Sequence, residues 1–423
     1  MKLILSRCFC FRSNSILALS IIFVLNFFAF PALSQTAPDW YQWRGPDLNG
    51  ISKEANWNPE FPASGPKILW EKAIGTGFSS ITVSNGRVYT AGNTGLKGKK
   101  NKKDNKDTIY CFDAETGKEI WTYTFPASLN PLRYEGGPNA TPTVDGERLY
   151  CFAREGDIFC FNAADGEIIW QKNMIKDFHL EELEYGYSSS PMIEKDILFL
   201  NGGTCGLALD KNNGKLLWKT KVKSKAGYST PIFVNIGKQK CLLLFSGDAL
   251  RCVNRDNGTQ LWEYQWKTQY DLNIADPIVS GDKVFISSGY GTGCALLRFD
   301  DSKAERVWKN TEMRNHFNSC VLFEGHFYGF DEKTLKCLSY EDGSVKWKKE
   351  DLGKGSLMIA DGKLIVLSDK GLLVIADAMH EKFEQISQAK ILKGKCWTVP
   401  VLSGGRIYAR GNLGQLVCLD VSK

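Results

Sequence analysis

The sequence predicts an all-β chain, on three observations. Forty glycines and 12% aromatic residues stand against four histidines and six methionines in 423 residues, a composition of short strands joined by tight turns. A polar residue, a glycine four positions on and a tryptophan four beyond that recur along the chain. Between these marks, runs of period-two alternation are separated by Asn-Gly, Asp-Gly or Glu-Gly pairs, which signal hairpins. With 43% hydrophobic and 24% charged residues and only 14 prolines, the chain is neither disordered nor collagen-like.

The N-terminus comes first. Residues 16–30, ILALSIIFVLNFFAF, form an uncharged apolar run after a basic stretch, followed by PALSQ with small residues at Ala32 and Ser34. This predicts a signal peptide over 1–34, cut after Ser34. The run is short for a membrane span, which needs about 20 apolar residues, so an uncleaved anchor is the alternative. No cysteine follows it to carry a lipid. Residues 35–65, with Trp40, Trp43 and Arg44, are expected to pack along the domain as an extended strap, or else to serve as a docking tail. The formal charge of +6 resides largely in the leader and in Lys97, Lys99, Lys100, Lys102, Lys103 and Lys106 of one loop. The remainder is near neutral, which excludes a nucleic-acid footprint.

The repeat then sets the architecture. Asp113, Gly117 and Trp121 are echoed by Asn162, Gly166 and Trp170, by Asp210, Gly214 and Trp218, by Asn254, Gly258 and Trp262, and by Ser339, Gly343 and Trp347. Trp70 and Trp308 end degenerate copies, and Phe383 is read as the replacement in the last. The eight marks lie 36 to 51 residues apart, the spacing of a four-stranded propeller blade. The second copy reads as ATPTV, RLYCFA, DIFCFN and EIIWQK, with turns at Asp145/Gly146, Glu155/Gly156 and Asp165/Gly166. The C-terminal segment supplies three strands and GPKILWEKAIG at 65–75 one orphan outer strand. Residues 66–423 are therefore expected to form an eight-bladed β-propeller whose last blade is closed by both ends of the chain, leaving no free sheet edge.

Of the 13 cysteines, Cys8 and Cys10 lie in the leader and 11 remain, an odd number that leaves at least one free thiol. Cys111, Cys160, Cys252, Cys337 and Cys418 share one repeat slot, filled by Ala208 in another copy, which points to a small buried hydrophobe. Cross-strand bridges Cys151–Cys160 and Cys241–Cys252 are the alternative if those hairpins turn symmetrically.

The DxxTGxxxW pattern of DAETGKEIW resembles the tryptophan-docking repeat of quinoprotein propellers, over about residues 66–423. That family includes dehydrogenases that bind pyrroloquinoline quinone (PQQ) and non-enzymatic propellers of the BamB-like outer-membrane assembly type. DWYQWRGPDLNG at 39–50 is similar to the start of secreted bacterial PQQ-like propellers. The resemblance implies the fold and leaves the chemistry open. The dehydrogenases' adjacent cysteine pair and the haem-attachment CxxCH are absent. Glu135, Asn273 and Asp276 are chemically suited to calcium and base roles, but no motif aligns them.

In a propeller the loops from one blade's outer strand to the next blade's inner strand converge around the channel mouth, the default binding face. Before the inner strands stand GFSS, GPNATP, GYSSSP, GYSTP, NIADP, HFNS and CWTVP. Phe78, Tyr187, Tyr228, Phe317 and Trp397 are read as sharing one position, a ring that either stacks on a ligand or plugs the channel as core. Two loops are enlarged: one carries Arg133, Tyr134, Glu135 and Asn139, the other His179, Glu181, Glu182, Glu184 and Tyr185, ahead of Ser188. The ligand-binding set is thus Phe78, Arg133, Tyr134, Glu135, Asn139, Tyr187, Ser188, Tyr228, Asn273, Asp276, His316, Phe317 and Trp397. No catalytic set or metal spacing is found among the four histidines. The expectation is an exported, periplasmic or extracellular, monomeric and non-catalytic propeller. It would act as a binding or scaffold module, with a protein, peptide or glycan at the channel mouth, and need no cofactor. A PQQ- and calcium-dependent alcohol or polyol dehydrogenase is the competing reading.

Overall fold

The computed structural model describes residues 39–62, 64–95, 104–132, 134–203 and 205–423. The signal-peptide segment, Arg133 and all but the ends of the lysine-rich loop lie outside these residues. Eight antiparallel four-stranded sheets follow one another around a ring, and among the described residues the one helical element is a single 3-10 turn at Gln269–Asp271. Blades 1 to 7 occupy residues 82–126, 143–173, 192–219, 232–265, 278–310, 321–349 and 356–390. Blade 8 takes Val401–Ser403, Arg406–Arg410 and Gln415–Asp420 from the C-terminus and Lys67–Ala73 as its outer strand, with Lys67 opposite Asp420 and Ala73 opposite Gln415.

What locks neighbouring blades is the marker tryptophan. In seven outer strands its indole N–H donates to a backbone carbonyl in the third turn of the next blade: Trp70 to Ala114, Trp121 to Ala163, Trp170 to Lys211, Trp218 to Arg255, Trp262 to Asp300, Trp308 to Tyr340 and Trp347 to Met379, at 2.8–3.2 Å. Three of these carbonyls use their second lone pair as well, accepting the hydroxyls of Tyr408, Tyr89 and Tyr150. The repeat glycine is required twice over. Gly166 has φ 77°, and a Cβ there would stand 2.6 Å from the Trp121 ring; Gly117, Gly214 and Gly258 meet Trp70, Trp170 and Trp218 in the same way.

Blade 7 departs from the pattern. The register places Ser387, not Phe383, in the tryptophan position opposite Ile375, while Phe383 packs against Trp347. The strap fills the gap. Ser387 donates to the Pro59 carbonyl at 2.6 Å, and Trp57, 1% exposed, joins the apolar cluster of Ile375, Ala389, Leu402 and Val421. Upstream, Trp40 bridges Val83 of blade 1, the Val144 amide of blade 2 donates to the Tyr41 carbonyl, and Ile51–Ser52 adds a parallel fifth strand to Ser356–Ala360. Glu54 accepts from the Gly404 and Gly405 amides in blade 8.

The cysteines are buried and free throughout the described residues. Cys111, Cys160, Cys252, Cys337 and Cys418 each face a docking tryptophan across the ladder, and Ala208 faces Trp218. Cys151 pairs with Phe159 and Cys241 with Asn254, so neither hairpin has the symmetric turn that would oppose two thiols.

Candidate functional site

The inter-blade loops are held together by a relay around the channel. The Ser80 amide donates to Thr141 Oγ1, Thr141 to Ser190 Oγ, Ser190 to Thr230 Oγ1, Thr230 to Asp276 Oδ1 and Asp276 to Ser319 Oγ, at 2.7–3.3 Å. Several of these side chains immediately precede the inner-strand proline. Short polar side chains satisfy backbone donors that a loop would otherwise leave unpaired.

Two residues before this girdle, every second side chain points into one cavity of about 120 Å³ at the channel mouth. Phe78, Asn139, Ser188, Tyr228, Ile274, Phe317 and Trp397 occupy that position in seven loops, joined by Tyr134 and Tyr185 from the two enlarged ones. Phe317 stacks on Trp397 at 4.4 Å and Phe78 on Trp397 at 6.1 Å. Tyr134 presents its edge to Phe78, Phe317 and Trp397 and its face to Tyr185.

The floor comes from the strap. Trp43 lines the cavity, and its indole N–H donates to Asp276 Oδ2 at 2.6 Å. Behind it, buried Arg44 lies 3.9 Å from Asp276 and donates to the carbonyls of Leu48, Asn49 and Cys320. Burial pushes the Asp276 carboxyl above its ordinary value, while Arg44, the Thr230 amide and Trp43 pull it back. The Trp397 indole N–H and the Thr398 hydroxyl are enclosed without a partner at the cavity wall.

Of the residues expected from sequence, Phe78, Tyr134, Asn139, Ser188, Tyr228, Asp276, Phe317 and Trp397 line this cavity. Tyr187 does not: it is 0% exposed, packs on Phe152, and donates its hydroxyl to the Glu181 carbonyl. It stands one residue out of step with Tyr228, and one step in an extended segment turns a side chain to the opposite side. Ser188 holds the equivalent place.

Glu135 pairs with Lys395 at 2.9 Å and accepts from Asn412 at 3.1 Å, bonds that hold its carboxyl below the usual range against the opposing effect of burial. Lys395 in turn lies 4.4 Å over the Trp397 ring. Asn273 is fully buried, its amide tying the Ser246, Gly247 and Trp266 carbonyls and its oxygen accepting from Ser288. His316 supports Phe317 by stacking at 3.9 Å; burial first and Lys354 second bring its pKa down to about 4. Arg133 lies outside the described residues.

Glu135, Asn273 and Asp276 therefore do not converge on a cation, each having spent its oxygens on protein donors. Among the described residues no cluster of three or more metal-ligating side chains forms. The residues present do not fit a calcium–quinone centre built on those three.

Trp43, marked only in the strap, Tyr185, marked only in an enlarged loop, and Thr141, Ser190 and Thr230 line the cavity without having been in the expected ligand-binding set. The serine or threonine before Pro142, Pro191 and Pro231 was a visible signal for the girdle. Nothing local tied Trp43 to the cavity; it is 233 positions from its partner Asp276.

The chain is similar in fold to solved structures with which it shares little sequence. BamB from Moraxella catarrhalis superposes with a TM-score of 0.61 at 14% identity, over 84% of this chain and all of that one. Quinohemoprotein alcohol dehydrogenase from Comamonas testosteroni gives 0.65 at 12%, over 91% and 80%. The computationally designed Ika8 protein gives 0.60 at 11%, over 84% and 100%. No curated protein sequence matches. A family profile, that of outer membrane protein assembly factor BamB, matches residues 62–235 and 105–349. With the propeller, its docking tryptophans and this match over most of its length, the chain belongs to the PQQ-like propeller family described as outer membrane protein assembly factor BamB.

Proposed function

We propose that the protein is an exported, non-catalytic propeller that binds a partner protein, peptide or glycan by seating one ring of it in the mouth cavity, as a monomer and without a resident cofactor. The observation that carries this reading is the convergence of seven loops on one cavity with aromatic walls and the Trp43 floor. Aromatic faces stack on planar rings and on the apolar faces of sugars. A dry cavity of about 150 Å³ holds a benzene-sized guest, so this one is on the scale of a single six-membered ring. The acids speak for binding over chemistry, because Asp276 in the wall is occupied by Trp43 and Thr230, and Glu135, outside the lining, by Lys395 and Asn412. Export is supported by the leader sequence and by the family's outer-membrane description. Among the described residues no helix is long and apolar enough to cross a membrane.

The test is binding of the purified mature chain to defined glycan and peptide arrays. Trp397→Ala and Phe317→Ala are expected to abolish capture while the protein still melts cooperatively; retained capture in both overturns the reading. A bound quinone spectrum with dye-linked alcohol oxidation, after reconstitution with PQQ and calcium, would overturn the non-catalytic part.

A further inference from the structure

From Lys211 to Gly247 the chain carries eight lysines and no aspartate or glutamate. Two of the lysines are paired with acids from outside the segment, Lys211 with Asp145 at 2.6 Å and Lys240 with Glu194 at 3.9 Å. Five others, Lys215, Lys219, Lys221, Lys223 and Lys225, stand at alternate positions with Leu217 in the one gap. All six side chains are exposed, while the residues between them are wholly or partly buried. Among the described residues none of the five ammonium groups meets a carboxylate, and Lys219 alone has a partner, the Phe178 carbonyl at 3.0 Å.

The row is held from behind. It begins on the outer strand of blade 3, Leu216–Lys219, and leads towards the channel mouth. The inward side chains pin it: the Trp218 indole donates to the Arg255 carbonyl, the Thr220 hydroxyl to the Cys205 carbonyl and the Ser224 hydroxyl to Asp248 at 2.6 Å. At its end the Gly247 amide donates to the Lys225 carbonyl and the Ala226 amide to the Gly203 carbonyl. Three residues beyond Lys225 stands Tyr228 of the cavity wall. The neighbouring acids leave the row uncompensated. Asp248 is taken by Arg251 and Ser224, and Glu181, Glu182 and Glu184, exposed on the enlarged loop that receives Lys219, form no ion pair with it.

Alternate side chains of an extended segment lie about 7 Å apart, inside the Debye length of about 8 Å at physiological ionic strength. The cations therefore repel one another in the free protein, and an anionic partner relieves that repulsion. The shape of the row selects among anionic partners. It is a line with a two-residue repeat, and an extended peptide with an acid at every second residue presents its carboxylates at the same repeat, whereas a bilayer is met by a plane of charges. Leu217, 48% exposed, adds an apolar step on that line. Building on the reading of the mouth as a ring site, we propose that the partner is a protein that offers an extended acidic peptide segment. Its aromatic ring enters the cavity, and its carboxylates, at alternate positions, run outwards from the mouth along Lys225, Lys223, Lys221, Lys219 and Lys215.

The experiment measures, by fluorescence anisotropy on the mature chain, binding of a labelled peptide with tyrosine at one end and glutamate at every second position, and of the same peptide with glutamine for glutamate. Wild type is expected to hold the acidic peptide about ten-fold more tightly, a modest gain from each of several exposed pairs, and to lose that preference at high salt. Lys221→Glu, Lys223→Glu and Lys225→Glu combined should abolish the preference, and arginine at the same three positions should keep it. The same charge change on other outer strands, Lys67→Glu with Lys346→Glu and Lys348→Glu, should leave it nearly unchanged. All variants should melt close to wild type, because these side chains are exposed. Equal binding of the two peptides by wild type, a preference kept by the first variant, or an equal loss in the control variant overturns the role of the row. If the acidic preference follows the row while Trp397→Ala changes nothing, the ring site falls and the row stands. If Trp397→Ala abolishes binding while both peptides bind alike, the ring site stands and the acidic assignment falls. Capture of phosphatidylglycerol vesicles through the same lysines, with both peptides ignored, would assign the row to a lipid surface and overturn the peptide.

Discussion

Replacing Arg44 with methionine removes a buried cation from the strap and leaves Asp276 without its counter-charge. The structure sets the size of the effect. Arg44 donates to three backbone carbonyls and lies 3.9 Å from a carboxylate that shares its burial. Breaking a buried pair from one side costs about 3–5 kcal/mol, most of it the uncompensated partner charge. At about 2.1 cal/mol/K of unfolding entropy per residue, a chain of this size loses about 1 °C for each 0.8 kcal/mol, so Arg44→Met should lower Tm by about 4–6 °C. The assay is calorimetry at neutral pH on wild type, Arg44→Met, Asp276→Asn and the double variant. The double variant should be more stable than the sum of the single losses predicts, because the two groups are coupled. Strict additivity, or a loss below about 1 °C, would refute the claim that the strap is fastened electrostatically to blades 5 and 6.

Other outcomes follow from the same geometry. Trp121→Phe deletes one indole–carbonyl bond while Tyr89 and Arg87 still donate to Ala163, so the expected loss is about 1 kcal/mol, measured by urea denaturation; Trp121→Phe with Tyr89→Phe should cost about the sum of the two, since Arg87 still satisfies the carbonyl. Gly166→Ala forces a Cβ to 2.6 Å from Trp121 at positive φ and should cost about 2–4 kcal/mol by the same measurement, more than an ordinary turn glycine. Burial brings the Asp107 pKa up to about 7, against the opposing Asn93 amide. The folded state then holds its proton between about 4 and 7 where the unfolded chain has lost it, so stability falls as pH rises through that window. Asp107→Asn should raise Tm at pH 8 by the equivalent of at most about 4 kcal/mol and leave it unchanged near pH 4; a gain of equal size at both pH values would exclude the carboxyl as the cause.

The fold was legible because one geometric need, filling the wedge between blades, writes the same tryptophan and glycine at nearly constant spacing. Where the need was met otherwise, the reading slipped. Blade 7 has no docking tryptophan, and Phe383 was the nearest aromatic to the expected mark, while the register selects Ser387 and the strap brings Trp57 from far upstream. The channel mouth was legible to within one residue. Counting back from the proline puts Tyr228 and Ser188 in step, and aligning on the aromatic instead selected Tyr187, whose side chain faces the blade core. Asn273 and Glu135 had suitable chemistry, but which donors would claim their oxygens depends on contacts made by distant segments.

The joining of Lys67–Ala73 to Gln415–Asp420 has a consequence for biogenesis. Lys67–Ala73 is made before the three strands it joins and must wait, its hydrogen-bonding edge uncovered, until Gln415–Asp420 is synthesised. A premature stop a few dozen codons from the end would therefore forfeit the clasp that fastens both extremities, and any partly made product would be a target for chaperones or proteases.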